Sequence, residues 1–186
     1  NLACAHCYLD ASDRAGRDEL TTEEARAFVD DVAAMGSPVL LFSGGEPLMR
    51  PDLFELGRYA IGAGLRAVIS SNGTLITPEL AAEIAEAGFA YVGVSLDGSE
   101  TTHDEFRRKQ GAFQAAIAGI KNCLAAGVKA GVRLTLNKRN AEDLDAVLDV
   151  VEREGVPRFC MYHLVYAGLG GLEVCLLYTS PSPRDL

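Results

Sequence analysis

The chain has 186 residues, 48% hydrophobic and 23% charged, a composition that excludes disorder and collagen-like structure and suits one domain with a sizeable core. Its 17 Lys and Arg against 26 Asp and Glu give a formal charge of -9, which argues against a nucleic-acid partner. No apolar run approaches the roughly 18 residues of a membrane span, and five Cys, an odd number with two in Cys4-Ala5-His6-Cys7, do not make a disulfide framework. A cytoplasmic protein with a metal or redox cysteine loop is expected.

The predicted elements alternate helix and strand. Thr21 and Glu24 offer a capping box, and Ala25, Phe28, Val29, Val32 and Ala33 then share one helical face. Gly36 ends that helix, and residues 38–42 read as a buried strand. Pro51 suits the first turn of the next helix, with Leu53, Leu56 and Ala60 inward and Gly64 as its stop. Residues 67–70 form a strand. Thr77-Pro78 opens a helix carrying Leu80, Ile84 and Ala87, and residues 91–94 are the strand after it. Phe113, Ile117, Ile120 and Leu124 mark a further helix, followed by a strand at 132–136. Asn140 caps a helix bearing Leu144, Val147, Leu148 and Val151, and residues 159–165 are the last strand.

Most of these strands are near-continuous apolar runs, as in parallel sheets covered on both faces. Five strands alternating with helices give an α/β fold, either an open doubly wound sheet or a curved partial barrel. In both, ligands bind at the carboxyl ends of the strands. The unusual residues collect there: Ser43-Gly44-Gly45-Glu46-Pro47, Ser71-Asn72-Gly73-Thr74, Ser95-Leu96-Asp97-Gly98, Asn137 and Tyr166-Ala167-Gly168.

Cys4 and Cys7 place two thiolates three residues apart. That spacing equally suits an iron–sulfur cluster, half of a zinc site or a thiol-redox pair. Gly44-Gly45-Glu46-Pro47 after a strand narrows the choice, because two glycines let backbone approach a ligand and Glu46 offers a carboxylate to a cationic amine. Cys123 and Cys160 read as small buried residues. His103 falls in a loop, with Asp104 as a possible helix start, and His163 on the last strand faces opposite to Tyr162 and Leu164. Asp97 reads as a residue ordering the loop after its strand, and Arg107-Arg108-Lys109 as a solvated helix start.

Together these motifs resemble the radical S-adenosylmethionine (SAM) enzymes over residues 1 to about 172. Their cluster loop is commonly Cys-Asn-Leu-x-Cys-x-His-Cys-Tyr, and Asn1-Leu2-Ala3-Cys4-Ala5-His6-Cys7-Tyr8 matches it except for the first cysteine. The expectation is that this cysteine, and the first barrel strand before it, lie upstream of Asn1. The implied fold is a partial parallel (β/α)6 barrel without its first strand. The implied cofactors are a [4Fe-4S] cluster, ligated here by Cys4 and Cys7, and SAM, cleaved to a 5′-deoxyadenosyl radical that abstracts a hydrogen atom from the substrate. By the same resemblance Tyr8 packs near the adenine, and Gly44, Gly45 and Glu46 hold the SAM amino group. Ser95 reaches the ribose or carboxylate side, Asn72 is a polar strand-end group, Arg107 is a carboxylate partner, and His6 is a loop residue rather than a ligand.

Residues 158–170 look like the end of the barrel in the radical SAM proteins of heme d1 synthesis and siroheme-dependent heme synthesis, as do Leu9-Asp10-Ala11-Ser12 and Leu48-Met49-Arg50-Pro51. That group often carries Tyr-x-Gly-Arg-Gly, and this chain has Leu169 in place of the Arg. The implied substrate is a modified tetrapyrrole whose propionate or acetate side chains are altered, with flavodoxin or ferredoxin as electron donor. The alternatives are a peptide- or protein-modifying maturase and a zinc or thiol-redox module without radical chemistry. Residues 175–185 match the translation of a sequencing transposon adapter, so 1–172 is expected to be the core and 173–186 a non-native tail.

Overall fold

The computed structural model describes residues 1–7 and 19–164. The Tyr166-Ala167-Gly168 segment, Leu169 and the adapter-like tail lie outside the described residues. In chain order the elements are α1 (Thr22–Ala34), β1 (Val39–Phe42), α2 (Leu53–Gly62), β2 (Arg66–Ser71), α3 (Pro78–Glu86), β3 (Tyr91–Ser95), α4 (Glu100–Arg107), α5 (Ala112–Ala125), β4 (Ala130–Leu136), α6 (Leu144–Arg153) and β5 (Phe159–His163), with short 3-10 turns at Pro47–Met49 and Ala141–Asp143.

All strand pairs are parallel, and the sheet order is β1-β2-β3-β4-β5. This order decides between the two predicted architectures. Each crossover steps to the next strand in the same direction, and right-handed crossovers then put every helix on one face. A doubly wound sheet needs a reversal of order to cover both faces, so the sheet is a curled half-barrel with helices outside and a concave face inside.

Alternation along the strands sorts side chains between the two faces. Ile69, Val92, Val94 and Val132 pack outward with Leu53, Ile84, Ile120 and Val147 in one buried core, each such side chain stabilising by about 1.5–3 kcal/mol. The predicted inward positions of α2, Leu53, Leu56 and Ala60, are buried. On α1 the capping box of Thr21 and Glu24 is present, and Val29 is buried, but Phe28 is 53% exposed. The reason is position: α1 packs against α2 on the side of the sheet that ends in β1, which pairs with β2 alone among the described residues.

Several bounds differ from the sequence-based expectation, among them β4, which opens two residues earlier at Ala130. Pro51 precedes α2, whose N-cap is Asp52. The last strand closes at His163 rather than 165. A further helix, α4, occupies residues read as loop and helix start; its charged composition hides a short buried stripe of His103, Phe106 and Arg107.

Gly119 on α5 packs where a Cβ would run into the carbonyl oxygen of Gly73, in the loop after β2. Gly62 ends α2 with open space around the same position. Gly119→Ala is therefore expected to destabilise the chain by about 1–3 kcal/mol, and Gly62→Ala to leave stability unchanged or raise it by up to ~1 kcal/mol. Urea denaturation of both variants checks this, and equal midpoints would count against the close α5–loop contact.

Candidate SAM and cluster site

The residues singled out by sequence meet at the carboxyl edge of the sheet. The Cys4–Cys7 segment turns through a backbone bond from the Cys7 N–H to the Cys4 carbonyl. It is anchored at both ends. The Ala5 N–H donates to the Phe106 carbonyl at 2.8 Å, and Ala5, Phe106 and Leu164 form a small apolar cluster. On the other side, Asn1 Nδ2 donates to Thr74 Oγ1 at 3.0 Å and Asn72 Nδ2 donates to Asn1 Oδ1 at 2.8 Å. The cysteine loop thus spans from the end of β2 to the end of α4. Cys4 and Cys7 are free thiols and partly accessible.

Glu46 is buried at the start of the 3-10 turn after β1. Its Oε1 accepts from Ser71 Oγ at 2.8 Å and from the Leu48 N–H at 3.3 Å, and its Oε2 accepts from the Asn72 N–H at 2.8 Å. Burial pushes its pKa up, and these hydrogen bonds oppose the rise. The carboxylate is locked in place while retaining acceptor capacity for one further donor. Gly44 has φ +136°, and among the described residues no atom beyond its own chain neighbours lies within 4 Å of where its Cβ would be. Backbone is therefore bare beside a fixed carboxylate, a cradle suited to an amino group.

Asp97 is the second fixed carboxylate. Arg107 Nη2 pairs with its Oδ2 at 2.7 Å, His6 Nε2 lies 3.5 Å from Oδ1, and His103 Nδ1 lies 3.7 Å from Oδ2. Arg107 continues to the cysteine loop, with Nη1 3.5 Å from Cys4 Sγ. Burial disfavours the Asp97 charge, but Arg107 and the two histidines outweigh it and hold the pKa below the usual carboxylate range. Asn140 Nδ2 ties the arrangement to β4 by donating to the Asp97 carbonyl at 2.8 Å and to the Thr135 carbonyl at 2.9 Å.

Several readings are corrected here. Arg107 is a buried last residue of α4, not part of a solvated helix start, because Asp97 supplies its counter-charge. His103 is fully buried on a helix rather than in a loop. Asp97 does order its loop, and it also holds Arg107 against Cys4. Asn140 binds neighbouring backbone and makes no side-chain cap. Cys123 is buried, its thiol pushed up to about 11 by burial, whereas Cys160 is only half-buried, on β5, which pairs with β4 alone among the described residues. Ser95 closes β3 at the same edge, in register with Arg133. Tyr8 lies outside the described residues. Arg133 was not singled out by sequence, since within an apolar strand run only its placement beside Gly93 and Ser70 distinguishes it.

The donor set fits an iron–sulfur cluster and SAM. Two thiolates share one loop, and the buried Nε of Arg107 has no protein partner, leaving a guanidinium edge for a carboxylate. No group of three or more His, Cys, Asp and Glu with metal-holding geometry occurs among the described residues.

The radical SAM superfamily model matches residues 1–151, and the chain belongs to that family. It is 56% identical over 174 residues to Fe-coproporphyrin III synthase of Methanosarcina barkeri, covering 94% of this chain and 44% of that protein. It is 42% identical to pre-heme d1 synthase of Dinoroseobacter shibae, covering 91% of this chain and 42% of that protein. Among solved structures, Streptococcus suis SuiB bound to S-adenosylmethionine superposes with TM-score 0.79 at 18% identity, covering 96% of this chain and 41% of that one. Methylornithine synthase superposes with TM-score 0.76 at 16% identity, covering 98% of this chain and 55% of that one. The chain spans less than half the length of the two curated relatives. The cofactors of its family are a [4Fe-4S] cluster and SAM. No helix among the described residues is long and apolar enough to cross a membrane.

Burial lowers the His103 pKa from 6.5 to about 4 despite the neighbouring Asp97 carboxylate. Its Nδ1 accepts the Asp97 N–H at 3.1 Å, so a proton there would break that bond. Between those two pH values the unfolded chain binds the extra proton and the folded chain does not, so stability is complete above pH 6.5 and falls as pH drops toward 4. The expected loss is on the order of 3 kcal/mol. Urea midpoints across that window should show it, and His103→Gln should flatten the profile; an unchanged slope would assign the effect elsewhere.

Proposed function

We propose that this chain is the radical-generating core of an enzyme that alters propionate or acetate side chains of a tetrapyrrole. The observation that carries it is convergence: the cysteine loop, the Gly44–Glu46 turn, Asn72 and the Asp97–Arg107 pair meet at one edge of a half-barrel. Relatives named as tetrapyrrole-forming synthases, at 42–56% identity, supply the substrate class. The family match sets aside the zinc and thiol-redox alternatives.

Cys4 and Cys7 would ligate the cluster, and the family's cysteine loop would take its third thiolate at the position directly before Asn1. The Gly44-Gly45 backbone and the Glu46 carboxylate receive the SAM amino group. Arg107 meets its carboxylate through the free guanidinium edge, while Ser95 and Tyr8 contact the ribose and adenine. Asn72 braces both Glu46 and the cysteine loop. When bound, cluster and SAM together supply a 5′-deoxyadenosyl radical, which abstracts hydrogen from the substrate. A flavodoxin or ferredoxin delivers the electron, and the cytoplasm is the compartment that keeps free thiols reduced. A peptide-modifying role is the second reading, favoured by 35% identity over 157 residues to the mycofactocin maturase of Mycobacterium tuberculosis.

The test extends the chain upstream, with either Cys or Ser directly before Asn1. After anaerobic reconstitution the Cys version should hold about four irons per chain, one [4Fe-4S] cluster, and release 5′-deoxyadenosine with dithionite and SAM. The Ser version should do neither. Equal iron content and equal 5′-deoxyadenosine from both would refute the three-thiolate site.

A further inference from the structure

We propose that Arg133 anchors a carboxylate of the substrate inside the half-barrel, an inference that rests on the tetrapyrrole reading and adds the residue that would grip its side chain. Arg133 lies in the middle of β4, in register with Ser95 on one side and Cys160 on the other. Its side chain leans across β3 toward β2, where Nη1 donates to Ser70 Oγ at 2.7 Å. The strand beneath is kept bare for it: a Cβ at Gly93 would fall 2.6 Å from Nε and 2.8 Å from Cδ. The guanidinium therefore lies flat on the concave face, on the side of the sheet opposite the helices.

Among the described residues its charge is not compensated: no Asp or Glu pairs with it, in contrast to Arg107, which has Asp97. Its hydrogen-bond partner is a neutral hydroxyl, its Nε is buried without any partner, and the Tyr162 ring centroid lies 5.7 Å from Cζ. A guanidinium stays charged at any physiological pH, and this one, half-buried on the sheet, has lost part of its hydration with no counter-charge in return. An incoming carboxylate would answer both the missing charge and the orphaned donor, in the two-pronged geometry that guanidinium favours. Propionate and acetate side chains are such carboxylates, and the Ser95 register puts Arg133 one strand from the edge assigned to SAM.

The experiment uses the full-length protein with coproporphyrin III as probe, its methyl-esterified form as control, and three chains: wild type, Arg133→Gln and Arg133→Lys. Porphyrin binding is read from the Soret band and SAM binding by equilibrium dialysis. Arg133→Gln is expected to weaken porphyrin binding roughly tenfold to a hundredfold, the loss typical of a hydrogen bond to a charged group. Arg133→Lys, which keeps charge but not the fork, should fall between. The ester should bind all three chains alike, and SAM affinity should not change. Wild-type porphyrin affinity in Arg133→Gln would overturn the Arg133 assignment alone. Loss of SAM binding in that variant would place Arg133 in the SAM site instead and equally overturn it. No porphyrin binding by wild type would overturn the tetrapyrrole reading, and the anchor with it.

Discussion

A buried carboxylate, Asp97, holds the site together. It sits just past the end of β3 and gathers Arg107 and two histidines around it. Without Asp97, Arg107 would be a buried cation at the end of a short helix, and losing one partner of a buried pair costs about 3–5 kcal/mol. With it, α4 can end inside the molecule, and the guanidinium reaches Cys4. The backbone of Phe106, one residue earlier, holds the cysteine loop through Ala5. The loop thus owes its position to an ion pair about a hundred residues away in sequence.

The sheet imposes the complementary constraint. Sequential strand order sends all helices to the convex face, so the apolar core is built there and the concave face is released from packing duty. Residues placed on that face answer to other demands. Gly93 and Arg133 illustrate this: one strand gives up its side chain so that the next can lay a guanidinium over it. A glycine in a central strand weakens the sheet locally, a cost that makes sense where a close approach must be accommodated. At the carboxyl edge, Glu46 performs a similar double task. It satisfies backbone donors from its own turn and from the neighbouring strand end, and the same bonds hold the carboxylate still.

Some of this was legible from residue pattern. Thr21 and Glu24, Thr77 before Pro78, and the glycines closing the helices carry local rules that act over three or four residues, and the structure follows them. Buried strands at 67–70 and 91–94 were readable for the same reason. The pattern failed where a residue's partner is distant. His103, Phe106 and Arg107 looked like a polar stretch because two of the three buried side chains are ionisable; Asp97 supplies the counter-charge for Arg107, and His103 is buried in its neutral form. Phe28 looked inward because its helix is amphipathic, yet helical period cannot tell whether a face lies over the sheet's centre or its margin.

The sequence by itself determined the alternation of helix and strand, the cysteine loop, the Gly-Gly-Glu-Pro turn and, through their combination, the family. Those features depend on neighbours within a few residues or on a motif that local backbone geometry requires. Tertiary structure alone decided that the sheet is singly wound and that Glu46 locks onto Ser71 and Asn72. It also decided that Arg107 is buried against Asp97 and Cys4, and that Arg133 faces the concave interior. Each of these is a contact between segments brought together by sheet register and helix packing, and charge or hydropathy at a single position does not encode which segment will lie beside it.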